Sequence, residues 1–177
     1  GTINNAGIIR SGVTGISLTL NAGVTTTISN AKDGTIRGKA KAIEVNFGAI
    51  DLKNSGTVAG LTHCDFQSGD DRIVNRGVMG EVRLGTGNDV FIFADFTPGE
   101  DSIGLSKALF KGIGKPGPLK EKSFAIGNKA KDSSDRIIYD PDTGICRYDP
   151  DGKGGTKAKI FTVLDGSPDG VSAGDFL

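Results

Sequence analysis

A short theme of asparagine, glycine and small apolar residues recurs four times in the first half of this chain, at residues 5–9, 33–38, 54–60 and 75–80. Its glycines fall at positions 7, 34, 56 and 77, which gives a period of 21 to 27 residues. Periods of this length with several short strands indicate a solenoid, in which each repeat buries its apolar face against its neighbours. We therefore predict an all-β fold, with a right-handed parallel β-helix in the N-terminal half.

Stacking these repeats predicts three apolar columns inside the helix. The columns are Ile9, Ile36, Val58 and Met79; Leu18, Val45, Cys64 and Val82; and Ile28, Leu52, Ile73 and Phe91. Asparagines recur just before the glycines, at Asn5, Asn54 and Asn75, with Asn30 in the same place ahead of an insertion. Because stacked amides both donate and accept hydrogen bonds, we expect them to form a ladder at one corner.

Two degenerate copies of a glycine–aspartate turn follow, 18 residues apart, within residues 66–93. Residues 67–74 read Q-S-G-D-D-R-I-V and residues 85–92 read G-T-G-N-D-V-F-I. In such a turn the glycines expose backbone carbonyls and the aspartate supplies a carboxylate. In successive solenoid turns Asp71 and Asp89 lie roughly 4.8 Å apart. At an effective dielectric constant of about 20, two unpaired carboxylates at that distance repel by on the order of 3 kcal/mol.

This repulsion predicts a cation between the two turns. Carboxylates and turn carbonyls are the hard oxygen ligands that calcium prefers. We predict a calcium site formed by Gly69, Asp71, Gly85, Gly87 and Asp89. The residue before each aspartate is expected to contribute its carbonyl rather than its side chain. The alternative is that these residues only shape turns, since Asp and Gly dominate turns without any metal.

Composition and charge agree with a chain of many tight turns. The 177 residues include 28 glycines and no tryptophan, and the net charge is zero. The charge is uneven, with eight acids in residues 65–101 and seven lysines in residues 107–131. The loop at residues 112–118 within this stretch contains no aromatic residue, so we expect a solvated surface and no nucleic-acid partner. An acidic polysaccharide remains open as a partner.

The ends of the chain and its apolar runs bear on location. No apolar run approaches the length needed to span a bilayer, so we expect no membrane span. Residue 1 is Gly rather than Met. We therefore expect the chain to be part of a longer protein.

Residues 66–177 resemble the RTX (repeats-in-toxin) family of type I secreted calcium-binding proteins. Residues 84–92 match the nonapeptide G-G-x-G-x-D-x-U-x, where U is a large apolar residue, except at Leu84. Residues 96–106 match F-x-x-G-x-D-x-I-x-L-S, the segment after the last calcium repeat. Residues 124–154 resemble the C-terminal pattern F-x-x-G-x-x-A-x-D-x-x-D-R-I-I-Y-D-x-x-T-G-x-x-x-Y-D-x-D-G-x-G, with a departure at Lys131 that shifts an acid to Asp132.

The period shortens from 27 to 21 and finally 18 residues, which suggests that the β-helix of residues 1–95 passes into a short β-roll at the calcium turns. Alternating strand and turn signals predict an antiparallel β module within residues 96–177. The resemblance implies that this module caps the helix and carries the secretion signal. Its partners are then calcium and the type I secretion machinery, which would engage the C-terminus. The protein is expected to leave a Gram-negative cell unfolded and to fold on calcium outside, as a secreted or cell-surface protein.

Two other function classes stay open, an adhesin and a carbohydrate-active enzyme of the lyase or epimerase kind. His63, the single histidine, is expected to face outward, with Glu44 and Arg83 on adjacent turns as an acid–base candidate. Surface ion pairs explain the same residues, and no catalytic sequence motif accompanies them. We therefore assign no catalytic residues and expect no catalytic activity in this region.

Two further patterns are weighed against their structural readings. Residues 149–154, D-P-D-G-K-G, look like the start of an EF-hand loop, but Lys153 and Ile160 stand where that loop needs oxygen ligands. A hairpin turn is favoured, and a weak ion site at Asp140, Asp142 and Asp149 is left open. Cys64 and Cys146 are expected to be free buried thiols, although spacing does not exclude a disulfide.

Overall fold

The computed structural model describes residues 1–64, 69–107 and 109–177. In these residues the regular structure is fifteen β-strands and two single 3₁₀ turns. The chain divides into two compact units, Gly1–Ile92 and Phe93–Leu177. The prediction of an all-β chain is therefore confirmed.

The N-terminal unit is a parallel β-solenoid. Its strands are β1 (Thr2–Asn5), β2 (Ile8–Ser11), β3 (Thr14–Thr19), β4 (Thr25–Asn30), β5 (Thr35–Asn46), β6 (Ala49–Asn54), β7 (Thr57–His63), β8 (Arg72–Asn75), β9 (Val78–Met79), β10 (Val82–Arg83) and β11 (Val90–Phe93). One sheet has the order β1-β4-β6-β8-β11, and the other has β2-β5-β7-β10 with β3 beside β5 and β9 beside β7. Neighbouring strands such as β4 and β6, or β5 and β7, pair in parallel. This arrangement confirms the parallel β-helix.

Two of the predicted apolar columns lie in strand register. They are Ile9, Ile36, Val58 and Met79, and Ile28, Leu52 and Ile73. Five of these side chains, Ile28, Ile36, Leu52, Val58 and Ile73, are fully buried. Since burial of an aliphatic side chain contributes about 1.5–3 kcal/mol, these columns are the main stabilising feature of the solenoid.

The third column is correct at its start and wrong at its end. Leu18 pairs with Val45 as predicted, but Val82 pairs with Thr62 and not with Cys64. The repeats shorten along the chain, and the register shifts twice between Arg37 and Ile43 where β5 passes β7. Val82 is displaced at the next turn, where Val58 pairs with Met79 and Thr62 pairs with Val82. One residue is lost there, and Val82 lies two positions from the predicted alignment.

An asparagine ladder runs along one corner of the solenoid, as predicted. The Nδ2 of Asn5 donates to Oδ1 of Asn30 at 2.8 Å, and Asn30 donates to Asn54 at 2.8 Å. Asn54 in turn donates to Asn75 at 2.7 Å. All four side chains are buried. Each amide thus has a neighbouring amide as a partner, which satisfies polar groups that would be costly to bury alone.

The glycines beside this ladder are required by close approach of the backbone. A Cβ on Gly56 would lie 2.2 Å from the carbonyl oxygen of Gly34, and one on Gly77 would lie 2.1 Å from that of Gly56. Any larger residue would force successive turns apart. This explains why the repeated theme keeps its glycine.

The C-terminal unit contains β12 (Phe124–Ile126), β13 (Ile137–Asp140), β14 (Ile145–Tyr148) and β15 (Lys159–Leu164). As predicted, β13, β14 and β15 form an antiparallel meander, and β12 joins β13 in parallel. Tyr139, Leu164 and Phe176 are among its most deeply buried side chains. The described helical segments are too short to cross a membrane.

Cys64 and Cys146 are both buried thiols, one in each unit, which confirms the prediction of buried thiols. Burial raises the pKa of Cys146 to about 12. Because the thiolate is the reactive form, Cys146 is an inert packing residue in the C-terminal core.

Candidate metal centre

Two aspartates on stacked turns form the centre of the candidate site. Asp71 immediately precedes β8, and Asp89 immediately precedes β11. The backbone N–H of Asp71 donates to Oδ1 of Asp89 at 3.0 Å, and the N–H of Val90 donates to the carbonyl of Asp71 at 2.9 Å. These bonds place the two glycine–aspartate turns in adjacent coils, at the spacing that the 18-residue repeat predicts.

The predicted glycines lie in the same two turns. A Cβ on Gly87 would come 2.1 Å from the carbonyl oxygen of Gly69, and one on Gly69 would come 2.1 Å from that of Gly48. Stacked glycines therefore present backbone oxygens beside the aspartates. Gly85 has φ 77°, the left-handed conformation that glycine adopts at tight turns. The start of the first copy, residues 66–68, lies outside the described residues.

Asp71 is a buried carboxyl with a raised pKa. It is 2% exposed, and its Oδ1 accepts a hydrogen bond from the N–H of Ile50 at 2.8 Å. Loss of solvation raises the pKa of Asp71 to about 6, against the lowering effect of the Ile50 N–H, and repulsion from Asp89 adds to the rise. A shift of this size means that ionised Asp71 destabilises the fold by on the order of 3 kcal/mol at neutral pH.

Asp89 has a related environment but is half-buried. Burial raises its pKa, the hydrogen bond from the Asp71 N–H opposes that rise, and the charge of Asp70 adds to it. No described residue donates a hydrogen bond to the second oxygen of Asp89. This oxygen is available to a ligand.

The residues one position earlier, Asp70 and Asn88, are joined to each other by hydrogen bonds. Oδ1 of Asp70 accepts from the backbone N–H of Asn88 at 2.8 Å and from its Nδ2 at 3.4 Å. Asp70 therefore links the two turns on the exposed side, parallel to the Asp71–Asp89 link. The sequence carried a signal for this contact, since Asp70 and Asn88 are also 18 residues apart.

The donor set of the site favours a hard cation. Among residues 1–64, 69–107 and 109–177, no three His, Cys, Asp or Glu side chains converge as a metal-binding group. An ion at this site would take carboxylate oxygens of Asp71 and Asp89 together with backbone carbonyls. All-oxygen sets with carbonyl ligands suit calcium, whereas transition metals prefer nitrogen and sulfur ligands.

The acid–base candidate around the histidine is only partly supported. Glu44, His63 and Arg83 lie opposite one another on three successive strands, as expected. His63 is buried, however, rather than facing solvent. Glu44 forms an ion pair with Lys41, and Arg83 forms one with Glu81 at 2.7 Å. The surface-ion-pair interpretation therefore accounts for the two charged residues.

The aspartates of the C-terminal unit have protein partners close to their own turns. Oδ1 of Asp149 accepts from the N–H groups of Asp151 at 3.2 Å and Gly152 at 2.8 Å. Asp140 is buried and lies 3.5 Å from Arg147. Such contacts are those of turn-forming aspartates and agree with the hairpin interpretation over an EF-hand.

Two further carboxylates in this unit are held as anions by neighbouring donors. The hydroxyl and backbone N–H of Ser134 lower the pKa of Asp132. Loss of solvation tends to raise the pKa of Asp151, but hydrogen bonds donated by Thr156 and by the backbone N–H of Gly155 lower it overall. The lowered pKa values of these carboxylates contrast with the raised pKa values of Asp71 and Asp89.

Comparison of the chain with protein-family models, curated proteins and solved structures finds no match. The interpretation of the site therefore rests on its own geometry.

Proposed function

We propose that this chain is a calcium-binding module of a secreted RTX-like protein. One calcium ion, held by Asp71, Asp89 and the carbonyls of the glycine turns, completes the folding of the last solenoid turns. The observation that carries this proposal is the stacking of two carboxylates with raised pKa values, joined through the Asp71 N–H at 3.0 Å. In the described chain neither carboxylate forms an ion pair, so a bound cation is the simplest source of compensation.

The energetics of such an ion fit a folding switch. Without calcium, the ionised carboxylates weaken the last turns. With millimolar calcium outside the cell and a dissociation constant near 10⁻⁵ M, binding adds roughly 2.7 kcal/mol to the stability. A chain that is less stable where calcium is scarce is suited to export in an unfolded state.

The sequence resemblance supports the export part of the proposal. Residues 96–106 and 135–154 follow the order of motifs that RTX-like proteins carry after their calcium repeats. In this proposal the right-handed β-helix passes into a short calcium β-roll, the C-terminal unit caps it, and type I secretion machinery engages the C-terminus. The protein then acts outside a Gram-negative cell.

Thermal unfolding with calcium and with excess EGTA tests the proposal. We expect calcium to raise the melting temperature of the wild type by several degrees and to protect residues 69–101 from proteolysis. Asp71→Asn and Asp89→Asn should each remove most of this rise. Asp33→Asn is the matched control, because Asp33 is an exposed turn residue in the same unit.

Three results would count against the calcium site. The wild type would melt at the same temperature in calcium and in EGTA, or Asp33→Asn would lose the response as fully as Asp71→Asn. Equal stabilisation by magnesium would show a non-specific charge effect, because magnesium demands a smaller octahedral site.

A further inference from the structure

A basic cavity lies on the solenoid at the end of β2, where β5 passes from pairing with β2 to pairing with β3. Its volume is about 540 Å³, and its charged lining residues are Arg10, Arg37 and Lys39. The remaining lining comes from Ser11 and small residues, including Gly12 and Gly60. A concave site of this volume is large enough for a small ligand.

The positive charges of the basic cavity are stacked without compensation. Arg10 lies directly opposite Arg37 on the neighbouring strand, and like charges in that position destabilise a sheet. Within the described residues, none of Arg10, Arg37 and Lys39 forms an ion pair, and no acidic residue lines the cavity. Cations elsewhere on the solenoid do have acids, such as Arg72 with Asp51 at 3.2 Å.

The floor of the basic cavity is backbone and a hydroxyl group. Glycines leave the floor without side chains, so a ligand can approach the main chain closely. Oγ of Ser11 accepts a hydrogen bond from the N–H of Val13 at 3.2 Å, which orients the hydroxyl and leaves its proton to donate. On the third turn Ala59 stands opposite Arg37, so the row of cations ends and the cavity opens there.

We propose that the basic cavity binds an acidic oligosaccharide, with uronate carboxylates held by Arg10 and Arg37. Guanidinium groups bind carboxylates with two parallel hydrogen bonds. The strand spacing of about 4.8 Å places the two arginines along an extended chain that carries one carboxylate on each sugar. Lys39 adds a third charge, and Ser11 donates to a sugar hydroxyl.

The absence of aromatic side chains from the cavity lining distinguishes this ligand from a single-stranded nucleic acid. Nucleic-acid sites combine positive charge with aromatic platforms on which bases stack. The residues that line the basic cavity are charged, hydroxyl-bearing or small. This inference does not depend on the calcium proposal, because the cavity contains none of the glycine–aspartate turn residues.

The test uses the full chain, tetragalacturonate, and the methyl ester of the same oligosaccharide. In calorimetric titrations we expect the wild type to bind the acid and to bind its ester at least ten-fold more weakly. Arg10→Gln/Arg37→Gln should weaken binding of the acid at least ten-fold. Lys32→Gln/Lys129→Gln removes the same charge at exposed positions outside the cavity and should change the affinity less than two-fold.

Two further measurements keep the test decisive. Amide shifts in the wild type should be largest at residues 11–12, 38–39 and 60, which needs no variant. Arg10→Lys/Arg37→Lys keeps the charge and should lose affinity by an intermediate factor, because lysine lacks the planar fork. The proposal is overturned by equal binding of acid and ester, by tighter binding of a single-stranded DNA of equal charge, or by full affinity in the glutamine variant.

Discussion

Two columns of polar side chains run along the same solenoid and behave in opposite ways. In the asparagine ladder, each buried amide donates to the next at 2.7–2.8 Å. In the aspartate column, Asp71 and Asp89 each accept from a backbone N–H of the preceding turn, at 2.8 and 3.0 Å. The asparagine ladder satisfies its own amide groups by hydrogen bonds, whereas the aspartate column leaves negative charge in a poorly solvated environment.

The difference follows from the side-chain chemistry. An amide carries a donor and an acceptor, so identical amides can be stacked without limit. An ionised carboxylate carries only acceptors, so identical carboxylates repel when stacked. The same fold thus contains an Asn column that satisfies its own hydrogen bonds and an Asp column whose negative charges are poorly solvated.

The largest expected effect comes from converting one column into the other. Asn54→Asp places a carboxylate in the middle of the ladder, where the side chain is 1% exposed. It removes the donor to Asn75 and sets acceptor against acceptor. We expect a loss of more than about 4 kcal/mol or failure to fold. Urea unfolding followed by circular dichroism measures this loss.

The control for that experiment is Asn128→Asp, which makes the same change at an exposed position. A surface substitution of this kind should change stability by less than about 0.5 kcal/mol. Equal losses of stability from the two substitutions would show that stacking in the buried ladder does not determine the effect.

The second prediction concerns the glycine that lets the aspartate turns stack. In Gly87→Ala the new Cβ would meet the carbonyl of Gly69, at a backbone φ of 146°. We expect a loss of about 3 kcal/mol, concentrated in the last turns, because the coils must separate. Hydrogen exchange at residues 69–93 would locate the change.

Gly155→Ala is the matched substitution, because a methyl group added at that glycine would have nothing within 4 Å and its φ lies outside the left-handed region. It should leave exchange rates close to those of the wild type. Comparable protection in the two variants would contradict the close stacking of the turns.

The third prediction is a gain in stability, in contrast to the loss expected for Asn54→Asp. Asp71→Asn keeps an oxygen that can accept from the Ile50 N–H and removes the buried charge. Without calcium, this variant should be more stable than the wild type at pH 7 by on the order of 2 kcal/mol. Chemical unfolding in EGTA measures the difference. A less stable variant would mean that the carboxylate is not penalised by the fold.

The smallest effect is a pH dependence. The pKa of Asp71 is about 6 in the fold, against an ordinary value of 3.8 for an exposed aspartate, so the folded protein holds this proton more tightly. Its contribution to stability is therefore most favourable below pH 3.8 and falls as the pH rises to about 6. Between pH 5 and 7 we expect the calcium-free wild type to lose about 1 kcal/mol relative to Asp71→Asn.

Saturating calcium should flatten that difference, because the ion stabilises the charged form. Unfolding curves of both proteins at several pH values, with and without calcium, measure it. Parallel pH profiles of the two proteins in EGTA would argue against a raised pKa at Asp71.

Much of the solenoid could be predicted from sequence because every repeat must place the same side-chain types in the same columns. The asparagine ladder and the column from Ile9 to Met79 follow from that requirement alone. The position of Val82 could not be predicted, since a shortening repeat can lose residues at any corner. The burial of His63 was also missed, because side chains no longer alternate regularly between the two faces of a strand beside a register shift.

The candidate site was predictable in its residues but not in its bonding. The 18-residue spacing placed Asp71 opposite Asp89, and the structure brings them together. It did not reveal that Asp71 reaches Ile50 or that Asp70 binds Asn88, because backbone donors leave no pattern in the sequence. The row formed by Arg10 and Arg37 was also missed, since two arginines in different repeats form no motif until the register is known.

A crystal structure grown with calcium, with anomalous difference density collected, tests the central claim most directly. The account predicts one peak between the two glycine–aspartate turns, about 2.3–2.6 Å from a carboxylate oxygen of Asp71 and of Asp89. Well-ordered turns with no peak between them, or a peak bound by only one of the two aspartates, would contradict it.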